Sequence, residues 1–425
     1  MKYSEKQKDE LRSVYDGLKA VYNGILAEGL SLDLSRGKPT AEQLDLSMPM
    51  LGMLTDREAC KASDGLDCRN YGVPLGLPEM RAFFSELTGI SASRIVVGGN
   101  SSLNLMYDTV ARAMLYGVYG SPRPWCREER VRFLCPAPGY DRHFAICESL
   151  GIEMISVPMR ADGPDMDTVE ALVAADSTIK GIWCVPKYAN PTGITYSDEV
   201  VRRFASMKTA APDFRIFWDN AYIVHDVYGE GDTLLNIFDE ADKLGTADRI
   251  FFFTSTSKIT FPGAGVAMMA MSENNLALVA PVLAAQTIGH DKLNQLRHLA
   301  FLPDSEAVRA LMKKHADYLR ARFDIVLSTL EKDLGGLGIA EWTKPNGGYF
   351  VSLNVLPGTA KRVFTLCKEA GVTLTGVGAT FPYGKDPEDK NLRLAPSYPT
   401  EKDLSRAMEI LTLAVRLSAL EALLA

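Results

Sequence analysis

Lys258 lies in FFFTSTSKITFPGAG (251–265), behind three phenylalanines and a serine–threonine tract. An amine placed there emerges at the end of an apolar segment rather than in open solvent. Dry surroundings disfavour its charged form and leave a nucleophile. Asp219 ends the apolar part of FWDNAYIVHD (217–226), where a carboxylate is costly unless it is paired or used. Tyr222, three residues on, faces the same space if the chain has turned. The alternative for Asp219 is a helix cap. Asn190 sits in the turn sequence PKYANPTG (186–193), and its amide can address a ligand oxygen. Tyr140, in CPAPGYDRH (135–143), offers an aromatic face for a planar ligand or serves as a hinge aromatic. In GGNSSLN (98–104), Ser101 and Ser102 follow two glycines. Free backbone N–H groups and two hydroxyls there form a phosphate cradle, or the serines simply cap a helix.

Together these residues offer a phosphate cradle, an aromatic platform, a buried carboxylate, two groups for a phenolic oxygen and an amine nucleophile. That set matches pyridoxal phosphate better than a nucleotide. No G-x-G-x-x-G opens a βαβ unit and no G-x-x-x-x-G-K-[ST] is present.

The elements that must position them read as strand-then-helix units. RIVVGG (94–99), VRFLCPAP (131–138), TIKGIWCVP (178–186), FRIFWDN (214–220), RIFFFTSTS (249–257) and GVAMMAMS (265–272) are apolar without strict alternation, as expected of strands covered on both faces. Their spacing leaves room for crossover helices, which predicts an α/β fold with a doubly wound, mostly parallel sheet whose ligand sits beyond the carboxyl ends of the strands. After about residue 300 a long helical stretch (305–334), shorter strands and a helix from Glu401 predict a smaller α+β lobe. The expected division is 50–304 for the large lobe, and 1–49 with 305–425 for the small lobe and N-terminal arm. A capping box at Ser4–Gln7 followed by Leu11, Tyr15, Leu18, Tyr22 and Ile25 predicts an N-terminal amphipathic helix reaching Gly29, packed on the small lobe.

Taken in order, LSRGKP, NYGVPLGLPEMR, GGNSSLN, CPAPGY, NPTG, DNAY, TSTSK and NLRLAPS give the chain a pattern that resembles the fold-type I pyridoxal-phosphate enzymes, class I and II aminotransferases. SLDLSRGKPTAEQLDLS, PKYANPTG and SKITFPGAGVA are similar to a divergent bacterial subgroup of aspartate aminotransferases. The resemblance implies that Lys258 is the Schiff-base lysine and proton carrier, that Asp219 pairs with the pyridine nitrogen, and that Asn190 and Tyr222 bind the phenolate oxygen. It implies Tyr140 stacked on the ring, Ser101, Ser102 and Ser255 on the phosphate with Tyr71 from a second subunit, and Arg393 with Gly37 at the substrate α-carboxylate. A homodimer with shared sites follows, as does ping-pong transfer from L-aspartate to 2-oxoglutarate. Arg36 and Lys38 are candidates for a distal substrate carboxylate, with Arg142 and Arg297 behind them. One departure stands out: many relatives carry arginine eight residues after the lysine, and here that residue is Val266. The phosphate must then rely on N–H groups, hydroxyls and another cation such as Lys187.

The net charge of −7 comes without a basic block, so nothing asks for nucleic acid. No apolar run is long enough to span a bilayer and the first residues carry no signal-like stretch, which predicts a cytoplasmic protein without membrane partners. Seven scattered cysteines without a CxxC pair and five histidines without metal spacing predict reduced thiols and no metal site. Three other readings share these residues: an aminotransferase of other substrate range, a β-lyase or decarboxylase on the same cofactor, and a non-enzymatic effector domain of the same fold.

Overall fold

The computed structural model describes residues 2–425. Its large sheet has eight strands, β1 (Ile95–Val97), β2 (Arg132–Ala137), β3 (Glu153–Arg160), β4 (Gly163–Pro164), β5 (Ile179–Cys184), β6 (Arg215–Asp219), β7 (Ile250–Ser255) and β8 (Ala267–Met271). They lie side by side in the order 1-8-7-6-5-2-3-4. The contacts β3–β2, β2–β5, β5–β6 and β6–β7 are parallel, β8 runs antiparallel to both β1 and β7, and β4 is antiparallel to β3. β5, β6, β7 and β8 are buried along their whole length, which is why their sequences read as continuous apolar runs. β3 is only partly buried, with Met154 and Val157 inside and the rest intermediate or exposed. Its half-solvated pattern lacks the continuous apolar run of the central strands, and its sequence does not announce a strand as theirs do.

A three-stranded antiparallel sheet follows, β9 (Ala340–Trp342), β10 (Val351–Val355) and β11 (Asn391–Leu394), in that order. Leu32–Asp33 pairs in parallel with Val372–Thr373 beside it. The first long helix spans Lys8–Leu26 with Gln7 at its N-cap, and Tyr3–Glu5 forms a separate 3-10 turn. Ser4 therefore does not start the helix, and the helix ends three residues short of the expected Gly29. Tyr22 Oη donates to Leu366 O at 2.9 Å and Tyr15 Oη to Glu421 at 3.2 Å, which ties this helix to the C-terminal helices Ala360–Glu369 and Glu401–Leu424.

Helix Ser305–Leu334 crosses from one core to the other. Val308, Leu311 and Met312 join the core beneath the large sheet, whereas Leu319 through Leu334 join the core shared by the C-terminal helices and the N-terminal segment. Among the described residues, no helix is long and apolar enough to cross a membrane, and all seven cysteines are free.

Candidate active site

Because β2, β5, β6 and β7 run parallel, their carboxyl ends meet at one sheet edge. Tyr140 follows β2, Asn190 follows β5, Asp219 ends β6, and Ser255 ends β7 with Lys258 just beyond it. β1 points the same way and delivers Ser101 and Ser102 to that edge at the start of helix Ser102–Tyr116. All of these, with Tyr222, line one cavity of about 220 Å³. The topology thus brings together side chains drawn from a stretch of more than 150 residues.

Asp219 is almost fully buried. Its Oδ2 accepts from His143 Nε2 at 3.1 Å, and its Oδ1 has no partner among the described residues. A buried carboxylate oxygen without a donor is costly, so this atom is suited to a ligand N–H. His143 is held from both sides: its ring stacks on Trp183 with centroids 4.4 Å apart and meets Tyr140 edge-on at 5.0 Å. Trp183 in turn donates through Nε1 to Cys147 Sγ at 3.2 Å. This file of side chains fixes the direction in which Asp219 faces the cavity.

Burial lowers the pKa of Lys258, with Asp219 pulling weakly the other way. Its Nζ lies 5.0 Å from the Tyr222 ring centroid and 6.0 Å from that of Tyr349. Burial likewise raises the phenol of Tyr222 well above its usual range and that of Tyr140 to about 12. Both phenols keep their protons at neutral pH and can donate.

At the end of the cavity formed by Ser101, Ser102 and Ser255, polarity comes from hydroxyls and backbone. Ser255 Oγ donates to Ser257 Oγ at 3.0 Å, and Ser257 Oγ to Asn100 O at 3.2 Å. Lys258 is the sole cation lining the cavity among the described residues. Val266 is buried, and its N–H donates to Thr256 Oγ1 at 2.9 Å. Lys187 does not fill the gap. Its ammonium pairs with Asp226 at 2.9 Å and donates to Ile223 O at 3.1 Å, beside a different pocket.

Arg393, from β11, does not line the cavity itself but joins it through the lining residue Asn190. Nη1 donates to Asn190 Oδ1 at 3.4 Å and lies 3.7 Å from Asp141, and Nη2 donates to Thr375 at 3.1 Å. Its buried Nε has no acceptor among the described residues, so the guanidinium retains capacity for an anion. The bond from Arg393 also fixes the Asn190 amide, whose oxygen is occupied and whose NH2 is left to donate. The Arg393 guanidinium lies 5.0 Å from the Phe350 ring centroid, and Gly37 abuts that ring so closely that a Cβ on it would fall 2.2 Å from Phe350 Cζ.

The remaining expected residues lie elsewhere. Arg36 pairs with Asp33 at 2.8 Å on the surface, and Lys38 lies 4.5 Å from the Tyr398 ring centroid. Arg297 donates to Asn294 Oδ1, and Arg142 is exposed on the first turn of its helix. Tyr71 is 78% exposed and does not line this chain's cavity. His143, Ser257, Thr375 and Phe350 were not singled out from the sequence. Among these, His143 had a usable signal: it follows Tyr140 by one helical turn in CPAPGYDRH.

The chain matches the family model described as aspartate amino-transferase over residues 6–425. It is 49% identical over 425 residues to a putative aminotransferase of Mycolicibacterium smegmatis, covering 100% of this chain and 99% of that protein. It is 46% identical over 407 residues to the aspartate aminotransferase of Corynebacterium glutamicum, covering 96% and 94%. A crystal structure of an aspartate transaminase from Corynebacterium glutamicum superposes with a TM-score of 0.97 at 44% identity, covering 99% of each chain. The structure of a putative aminotransferase from Corynebacterium diphtheriae gives 0.93 at 46% identity, covering 96% of this chain and 100% of that one.

Proposed function

Since this chain belongs to the aspartate aminotransferase family and is a pyridoxal-phosphate-dependent aminotransferase, we propose that it moves the amino group of L-aspartate to 2-oxoglutarate with Lys258 as the reacting amine. The observation that carries the assignment of roles is the unpartnered Oδ1 of Asp219, facing a cavity that also holds Lys258, at the meeting of parallel strand ends. Pyridoxal phosphate fits this cavity: Asp219 Oδ1 would accept from the protonated ring nitrogen, Tyr140 would cover a ring face, and the serine hydroxyls would hold the phosphate.

When bound, the cofactor supplies an aldehyde to take the amino group and a ring that accepts the electron pair left at Cα. The chain's own groups do the rest. Lys258, disposed by burial toward its neutral form, would be the base that takes the proton from the substrate Cα and carries it through the 1,3 transfer. Asp219 would hold a proton on the ring nitrogen, and the Asn190 NH2 and Tyr222 hydroxyl would donate to the ring oxygen. Arg393 grips the substrate α-carboxylate through its free donors, with Gly37 and Phe350 setting its height. Closure of the smaller lobe (1–49 and 305–425) on the larger (50–304) would exclude water and orient the Cα–H bond.

We also propose a homodimer in which Tyr71 serves the partner's phosphate site. In support, Tyr71 is exposed, and Leu278 and Ile288 lie open on and beside an apolar helix, Glu273–Gln286.

An amino-donor panel read by cofactor absorbance tests the assignment. Aspartate should bleach the band of the resting enzyme and 2-oxoglutarate should restore it, with oxaloacetate formed in equal amount. Release of ammonia or carbon dioxide without an acceptor would overturn it. Lys258→Ala should retain the cofactor but lose turnover.

A further inference from the structure

The cavity that would receive the cofactor phosphate has no cation of its own beyond Lys258, so the anion depends on how firmly neutral donors are held. Two of those donors, Ser255 and Ser257, lie on the loop from Ser255 to Val266, and one helix, Lys292–Phe301, grips that loop twice. Asn294 Nδ2 donates to Ala264 O at 3.1 Å and to Gly265 O at 2.8 Å. His298 lies one turn further on and is buried. Its Nδ1 must donate to Asn294 O at 2.8 Å, because a carbonyl only accepts. In the neutral ring Nε2 is then an acceptor whose single lone pair is shared by two hydroxyls, Thr260 Oγ1 at 2.9 Å and Thr256 Oγ1 at 3.1 Å, and Thr260 Oγ1 also lies 3.2 Å from Thr256 Oγ1. Having given its proton to His298, Thr256 Oγ1 presents a lone pair to the Val266 N–H at 2.9 Å. The same network therefore spans both ends of the loop, and Thr256 lies between Ser255 and Ser257, the two cavity-lining serines of this loop.

We propose that His298 is a positioning residue for the cofactor phosphate, acting through Thr256 and Thr260 to hold the Ser255–Ser257 donors where no arginine stands. It touches neither cofactor nor substrate. Burial holds its pKa down at about 4, so the acceptor at Nε2 persists at neutral pH. The idea rests on the phosphate end of the cavity assigned above.

The test separates phosphate holding from amine chemistry with two probes. The full-length chain is stripped of cofactor and titrated with pyridoxal phosphate and with pyridoxal, which lacks the phosphate but presents the same aldehyde to Lys258. His298→Phe, which removes the acceptor, should weaken pyridoxal phosphate by about tenfold or more while leaving pyridoxal within about twofold. His298→Gln, whose amide oxygen can accept from the threonines, should recover much of the loss. Equal weakening of both probes would show a general loosening of the fold and overturn the proposal, as would no change in either. If His298→Phe does not fold, Thr256→Val carries the same test, because it deletes the hydroxyl that joins His298 to Val266 with little change in volume. Selective loss of pyridoxal phosphate affinity supports the proposal, and parallel or absent loss refutes it. Failure of the unaltered chain to bind either probe would instead remove the cofactor assignment itself.

Discussion

Replacing Gly37 with alanine should damage substrate handling while sparing the cofactor. The added Cβ would stand 2.2 Å from Phe350 Cζ and 2.3 Å from Cε1, where ordinary contact begins near 3.4 Å. The difference, 3.4 − 2.2, requires the ring to withdraw by 1.2 Å along that direction. Phe350 is buried and lies beside the Arg393 guanidinium, 5.0 Å from ring centroid to the guanidinium carbon, so the displacement is passed to Arg393. Overpacking of this kind costs about 1–3 kcal/mol. If that cost falls on the substrate complex, kcat/KM drops by about 5-fold to about 150-fold. Steady-state kinetics with aspartate and with 2-oxoglutarate should show KM rising for both, because both carry the α-carboxylate, and the cofactor titration should be unchanged. Unaltered KM values, or a loss confined to cofactor affinity, would refute the placement of Gly37 and Phe350 behind the substrate clamp.

His143→Leu strips Asp219 of its one side-chain hydrogen bond and should lower stability in urea by about 2–3 kcal/mol; an unchanged midpoint would mean that this bond does not hold the carboxylate. Arg393→Ala should raise KM for both substrates by about 100-fold or more, as expected for a buried charged pair, whereas Arg36→Ala, which breaks only a surface pair with Asp33, should change KM by less than about threefold; comparable effects from the two would contradict their positions. Burial depresses His225 to about 3 and His298 and His315 to about 4, from an ordinary 6.5. Below pH 6.5 the unfolded chain binds protons that the folded chain refuses, so these residues favour the fold fully above 6.5 and progressively less as pH falls toward 4. Three such sites contribute a slope of up to about 4 kcal/mol per pH unit, and urea midpoints between pH 7 and 5 should be flatter in His298→Gln; an identical slope would exclude this histidine as a source.

The chemistry-bearing residues were legible because each follows an apolar run, and a run buried on both faces can hardly be mistaken once it is repeated. Asp219, Ser255 and Lys258 owe their places to β6 and β7, whose sequences RIFWD and IFFFTS leave no solvent-facing register. The mostly exposed β3 was less legible for the opposite reason, since two buried residues in eight at a sheet margin give no regular pattern. Ser4 has capping-box spacing but caps nothing, because the chain turns at Tyr3–Glu5 and the helix begins at Lys8. Local spacing offers a cap without obliging the backbone to use it.

Sequence by itself determined that an amine, a carboxylate, an amide and a set of hydroxyls would arrive at strand ends, since strand period and burial are local properties of the chain. Only the tertiary structure decided which cations remain free. Arg36, Lys187 and Arg393 are alike as residue types. Asp33 engages the first at 2.8 Å and Asp226 the second at 2.9 Å, whereas the third has only a looser 3.7 Å contact with Asp141 and keeps an unpartnered Nε. Pairing of that kind depends on groups brought together from distant parts of the chain, as do the grip of His298 on Thr256 across 42 residues and that of His143 on Asp219 across 76. No window of sequence contains both partners, and the strength of each contact is set by a burial that exists only once the sheet and its helices have closed around it.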